Sequence, residues 1–343
     1  MMPAKIRIAA IEAKHMHVFD LMRQALQCEQ AEFVGFADPD EANRQRAKTQ
    51  LGLSDDLLFA DYRKLLDQQK PQAVMICSTN VMHDDFVLEC AARGIHCMVE
   101  KPFAARLIEV DRMIQACARA GVKLMCNFPS AWSAALRHAR TLCDDGRIGR
   151  IFQITYRGGH AGPVRDLNTW WYRPEDGGGV LLDYCCYGAN VSTWFLRKLP
   201  RMVTALAGTL AKPVKAEDNA VMLALYDDAL CIFQATWTRP VPEPSYGPVI
   251  NGLEGAITVV NSRQLRLFTP ENAAAGGELI EAPPLPAGRR NGPEYFVNAI
   301  LNDTPIEDPC SPQMNRDVQE ILEAGILSVQ SGCTIRLPLF ATG

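Results

Sequence analysis

An apolar run at residues 95–99 ends abruptly in Glu100-Lys101-Pro102. A continuous apolar run of this length fits a buried strand of a parallel sheet. Ligands of such sheets bind in the crevice beyond the carboxyl ends of the strands. An ammonium carried there on rigid backbone is placed to act on a substrate; the plain alternative is a solvated Glu-Lys pair at a strand end. A second cluster tips the balance toward chemistry. Gly177-Gly178-Gly179 leads into Asp183 and Tyr187, and residues at that spacing share one face of a helix. A phenol, with a pKa near about 10, is a weak base at neutral pH unless a cation stabilises its phenolate. Lys101 is such a cation, and Asp183 would orient the lysine or the substrate. The bland reading makes Asp183 an ion-pair partner and Tyr187 a half-buried helix tyrosine. Trp171 and Arg173 stand just ahead of the glycines, and His160 follows a strand-like segment. Aromatic walls with one guanidinium suit a polyhydroxylated ring, although such aromatics also serve simply to pack a core.

The elements that must position these groups fall into two rhythms. Residues 6–11, 32–37, 73–77, 95–99 and 122–126 read as strands, with helices at 17–27, 40–50, 82–93 and 107–120 between them. Gly94 and Gly121 stop their helices where a left-handed residue is wanted. Strands alternating with helices imply right-handed βαβ units and a Rossmann-type, doubly wound parallel sheet over 1–126. After residue 127 comes a helix at 130–143. Strands follow at 151–156, 202–207, 220–226, 231–237 and 256–260, with Asp227-Asp228 as a hairpin turn. Helices are expected at 294–301 and 312–330. Residues 127–343 thus read as an α+β domain with a large, mostly antiparallel open sheet, and the proline-rich stretch 283–293 as a loop within it. An open sheet needs cover on its far face, so a homodimer or homotetramer is expected.

Composition narrows the partners. The chain has 343 residues, 48% of them hydrophobic, enough for a large core split over two domains. A net charge of −4 without a basic block argues against nucleic acid, and no apolar run is long enough to suggest a membrane span. The first residues carry no signal-peptide pattern, which together with twelve cysteines lacking any CxxC pair predicts a cytoplasmic protein with reduced thiols. Cys185-Cys186 reads as packing.

A dinucleotide fold places G-x-G-x-x-G after its first strand, where the glycines admit a pyrophosphate to the helix amino end. Here that turn is Glu12-Ala13-Lys14-His15-Met16-His17, without a glycine. A carboxylate at the first position would repel the pyrophosphate, and Lys14 would offset part of that. Other parts of a cofactor site are present. Asp38 ends the second strand where a carboxylate binds the ribose and disfavours a 2′-phosphate, so NAD is expected over NADP. Ser78-Thr79-Asn80 ends the third strand and offers polar groups to the ribose, or else caps the next helix. His15-x-His17 has no third ligand near it in sequence, so no metal is expected.

Together these residues resemble the Gfo/Idh/MocA family, named for glucose-fructose oxidoreductase and inositol dehydrogenase. Asp38, Ser78-Thr79-Asn80 with His83, Val99-Glu100-Lys101-Pro102, Gly146-Arg147-Ile148-Gly149, the triple glycine, Asn251-Gly252-Leu253-Glu254-Gly255 and the segment 335–339 carry the resemblance, in order, across the chain. It implies that Lys101 lies beside the nicotinamide and the reacting carbon, with Pro102 often cis. It implies cofactor contacts from Ala13, Lys14, His15, Met16, Asp38, Ser78, Thr79, Asn80, His83, Glu100 and Lys101. Asp183 keeps the acid of the family's D-x-G-x-H motif, while Tyr187 replaces its histidine and Asn190 stands where an aspartate often follows. That places the chain nearer the tyrosine-containing branch of glucose-fructose oxidoreductase and the dimeric dihydrodiol dehydrogenases. Three activities follow as alternatives. The first is an NAD(P)-dependent oxidoreductase of a sugar, polyol or related small carbohydrate; the second an enzyme using NAD transiently to cleave glycosides; the third a non-enzymatic sugar or nucleotide sensor.

Overall fold

The structure is a computed structural model that describes residues 5–163, 165–240 and 247–339. The chain divides into two compact units. One holds the chain up to Ala104, Ile108–Phe128 and Pro286–Gln313; the other holds Ala105–Leu107, Pro129–Leu285 and the chain from Met314.

The first unit is built on a six-stranded parallel sheet. Its strands are β1 (Ile6–Ile11), β2 (Ala31–Ala37), β3 (Leu58–Phe59), β4 (Ala73–Ile76), β5 (His96–Glu100) and β6 (Leu124–Asn127), in the order β3-β2-β1-β4-β5-β6. Helices α1 (Val18–Gln27), α2 (Glu41–Leu51), α3 (Tyr62–Gln69), α4 (His83–Ala91) and α5 (Leu107–Ala120) connect them. All four residues of β4 are buried, and β1 is nearly as apolar. That is the composition of strands covered on both faces. The chain order reverses between β1 and β4, which makes their carboxyl ends the topological switch point. Helix α3 and the two-residue β3 were not foreseen, because α3 is short and mostly polar.

The stretch 283–293, expected to be a loop within one domain, is where the chain passes from one unit to the other. The cause is the apolar face of α8 (Gly292–Leu301), which buries Tyr295, Phe296, Val297 and Ala299 and packs on α1 and β1.

The second unit is a nine-stranded sheet. Helix α6 is Ala134–Asp144 and α7 is Cys186–Leu196; α9 (Pro312–Ser331) begins in the first unit and continues into the second. The strands are β7 (Ile151–Gly159), β8 (Met202–Gly208), β9 (Asn219–Leu225), β10 (Leu230–Thr236), β11 (Gly247–Gly252), β12 (Gly255–Val259), β13 (Gln264–Phe268), β14 (Glu278–Glu281) and β15 (Ile335–Arg336). Their order is β14-β13-β12-β11-β7-β10-β9-β8-β15, antiparallel except for the β7–β10 pair. Asp227-Asp228 turns the β9–β10 hairpin as expected. Strict alternation along β9 buries Ala220, Met222 and Ala224 and exposes Val221, Leu223 and Leu225. Helix α7 packs on β7 and β10, and α6 on β12 and β13. No helix among the described residues is long and apolar enough to cross a membrane.

Candidate functional site

In the first unit, the candidate residues gather at the carboxyl ends of β1, β4 and β5. Glu12, directly after β1, has φ +60°. This left-handed conformation suits glycine and costs other residues about 1–2 kcal/mol. The turn therefore keeps the backbone shape of a glycine position without the glycine. It is held by the Glu12 N–H donating to Ala37 O at 2.7 Å and by Ser78 Oγ donating to Glu12 Oε2 at 2.7 Å. Burial, the largest influence, pushes the Glu12 carboxyl above its ordinary range; the Ser78 bond and Lys14 oppose the rise and Asp38 adds to it. Ala13 N–H donates to Asp38 Oδ2 at 2.7 Å and Asp40 N–H to Oδ1 at 2.8 Å, so the fully buried Asp38 carboxylate braces the turn. His15 N–H donates to Cys77 O at 2.9 Å. Lys14 and Met16 belong to the same turn, and Met16 is exposed.

Ser78, Thr79 and Asn80 are buried at the end of β4. Neither Thr79 nor Met82 caps its helix with a side chain, so the capping alternative is not realised at those positions. Glu100 and Lys101 are buried to 1% and 2% exposure at the end of β5, and the Lys101-Pro102 bond is cis. Asn127 Nδ2 donates to Glu100 Oε2 at 3.0 Å, and His17 Nδ1 lies 3.1 Å from Glu100 Oε1. Burial favours the protonated Glu100 carboxyl, but His17, Lys101 and the Asn127 bond outweigh it and hold the group below its ordinary range. Burial also pushes the His83 imidazole down to about 4. Its neutral Nδ1–H donates to Phe103 O at 3.1 Å and fastens the segment that follows Lys101.

The histidine pair departs from expectation. His15 and His17 stack with ring centroids 4.1 Å apart, and Glu100 joins them as a third metal-competent group. Sequence spacing could not reveal it, because the carboxylate arrives from another strand.

In the second unit, Asp183 lies in a π-helical turn, Leu181–Cys185, that runs into α7. The interval to Tyr187 is therefore not the regular α-helix expected of it. Asp183 Oδ2 accepts a hydrogen bond from Trp237 Nε1 at 3.0 Å, and both side chains are buried. Tyr187 stacks on Tyr156, with rings 5.9 Å apart and 5° from parallel, and lies 5.6 Å from the Tyr184 ring. His160 meets the Tyr184 ring edge-on at 5.3 Å. A Cβ on Gly158 would sit 2.4 Å from Tyr184 Cδ1, so this cluster needs glycine there. Trp171 is buried edge-on to Trp237, with ring centroids 6.3 Å apart. Arg173 is half-exposed and paired with Asp176 at 2.7 Å. Tyr156, Tyr184 and Trp237 escaped the sequence reading. Trp237 carried one signal, a tryptophan closing an apolar strand.

The chain is similar in sequence and fold to known oxidoreductases. Residues 9–128 match an oxidoreductase family with an NAD-binding Rossmann fold, and residues 136–258 match the GFO/IDH/MocA C-terminal domain. A 1,5-anhydro-D-fructose reductase from Ensifer adhaerens is 27% identical over 227 residues, 63% of this chain and 66% of that protein. Across the first four such relatives the chain spans 52–66% of their length. An aldose-aldose oxidoreductase from Caulobacter crescentus complexed with glycerol superposes with TM-score 0.81 at 20% identity, covering 97% of this chain and 100% of that one. The WlbA dehydrogenase from Bordetella pertussis in complex with NADH and UDP-GlcNAcA superposes with TM-score 0.79 at 22% identity, covering 99% and 100%.

The residues present fit a dinucleotide of this kind. The left-handed turn at Glu12 leads to the amino end of α1, where backbone N–H groups favour an anion. The Glu12 carboxyl, raised by burial, accepts a hydrogen bond from Ser78 within the turn.

Proposed function

Because the chain belongs to the Gfo/Idh/MocA family of oxidoreductases, we propose that it is an NAD(P)-dependent dehydrogenase or reductase of a sugar, polyol or related small carbohydrate. The observation that carries this reading is Lys101, buried at the carboxyl end of β5 beside the switch-point strand. We assign the cofactor to the first unit, through the 12–17 turn, Asp38, 78–80, His83, Glu100 and Lys101. The substrate falls to the second unit, through His160, Trp171 and Arg173 with Asp183 and Tyr187.

When bound, the nicotinamide accepts or donates the hydride. The chain's own residues handle the proton. We assign the proton transfer to Tyr187 in its phenolate form, which would accept the proton of the substrate hydroxyl; Lys101 would supply positive charge from the first unit, and Asp183, held by Trp237, would orient the reacting group. NAD is favoured over NADP by the Asp38 carboxylate, which a 2′-phosphate would meet as a like charge. Twelve free cysteines fit a reducing compartment, and we place the protein in the cytoplasm.

Titration with NADH and NADPH, read by nucleotide fluorescence and followed by turnover on a panel of sugars and polyols, tests the reading. Binding of neither nucleotide would favour the sensor alternative. Glu12 adds a pH signature. Its folded pKa is raised, so the carboxyl keeps its proton above the ordinary carboxylate range and gains charge only as pH climbs through that raised value. NADH affinity is expected to fall by about tenfold across that window, by charge repulsion with the pyrophosphate. Glu12→Gln should abolish the dependence and Glu12→Gly should tighten binding; an unchanged pH profile in both would show that the phosphates lie elsewhere.

We also propose a homo-oligomer formed through the second sheet. Its outer face presents Leu206 (77% exposed), Val221, Leu223, Leu225 and Leu230 in adjacent register. A second copy of the same face covers such a patch with closed symmetry. Sedimentation should give a dimer or tetramer, and Leu206→Glu with Leu223→Glu should give a folded monomer. A monomeric parent protein at micromolar concentration would refute the pairing.

A further inference from the structure

We propose that His15, His17 and Glu100 form a binding site for a divalent transition-metal ion. Their ligand atoms all lie within 4.8 Å of one another. Two of the three groups, His15 and Glu100, are buried, so their positions are set by packing. Glu100 is oriented from behind: Asn127 Nδ2 holds Oε2 and leaves Oε1 directed at His17, 3.1 Å away. Asn127 is in turn pressed by Gly292 of α8, where a Cβ would approach its Oδ1 to 2.5 Å. A carboxylate supported by its own hydrogen-bond partner is the usual second layer of a metal centre.

The donor set selects the ion. Two imidazole nitrogens and one carboxylate oxygen suit Zn²⁺, Co²⁺ or Ni²⁺, whereas Mg²⁺ and Ca²⁺ require oxygen ligands. Three protein ligands leave at least one position open to water or an anionic group, as in metal sites that bind exchangeable ligands. The opposing influence is Lys101, whose ammonium acts on His15 and Glu100 and must be offset by the carboxylate. The site lies at the turn that lacks the glycine fingerprint, and His17 stands at the position of its last glycine.

Co²⁺ titrated into chelator-treated protein, with visible absorption and equilibrium dialysis as readouts, tests the site without nucleotide or substrate. The exposed Cys333 is replaced by Ser, so that a thiolate band cannot be confused with the nitrogen and oxygen site. The expected result is one Co²⁺ per chain with visible bands and no thiolate transition. Affinity should fall by at least about tenfold in both His17→Ala and Glu100→Gln. His17 is half-exposed, so its variant should keep the parent circular dichroism; should it not, His17→Gln replaces it. Mg²⁺ in excess should not compete. No stoichiometric uptake, or uptake unchanged by the His17 substitution, would overturn the proposal. Either result leaves the dehydrogenase reading untouched.

Discussion

Lys101→Ala is expected to lower turnover on the true substrate by about a hundredfold or more, and Tyr187→Phe by a similar factor. The double variant should lose little beyond either single one. The reason is electrostatic: a phenol works as a base near neutrality only while a cation stabilises its phenolate. Under the assignment of Lys101 as that cation, its removal already disables the Tyr187 phenolate, and groups acting as one unit give strongly non-additive losses. NADH affinity should survive in Tyr187→Phe, because the phenol is assigned to the substrate. Loss of the hydroxyl also leaves the ring stack on Tyr156 intact, so stability should change little. Steady-state kinetics of the four proteins on one substrate check this. Multiplying losses, or a Tyr187→Phe enzyme with full turnover, would remove Tyr187 from the proton-transfer step.

The second large effect is at Asp183, where stability and activity separate by choice of substitution. Asp183→Ala leaves the indole N–H of the fully buried Trp237 without its acceptor, a loss of about 1–3 kcal/mol. Asp183→Asn keeps an oxygen at the same place, so the melting temperature should stay near that of the parent while turnover drops by about a hundredfold. Thermal unfolding and kinetics on both variants decide the matter. If Asp183→Asn is fully active, the carboxylate is only a hydrogen-bond acceptor for Trp237 and its catalytic assignment fails.

The strand-end position of Lys101 and the fold class were open to a reader of the sequence because both follow from local pattern. Alternation of apolar runs with helical stretches announces a parallel sheet, and the six strands of the first unit form one. The Glu100-Lys101-Pro102 ending of β5 and the Asp183 and Tyr187 pair could be singled out for the same reason. The strands β11, β13 and β14 were not visible, since short strands with polar, half-buried faces lack a strong period.

What the sequence determined by itself was therefore the placement of reactive side chains along elements, and the loss of glycine from the 12–17 turn. The tertiary structure decided what those side chains meet. Glu12 adopts a left-handed conformation because Ala37 and Ser78, from two neighbouring strand ends, hold it there. Asp38 braces the turn, Asp183 is tied to Trp237 across the second unit, and Glu100 closes on two histidines that precede it by more than eighty positions. Each of these pairings joins residues far apart in the chain. Their proximity is set by sheet order and side-chain packing, which no local period or spacing encodes.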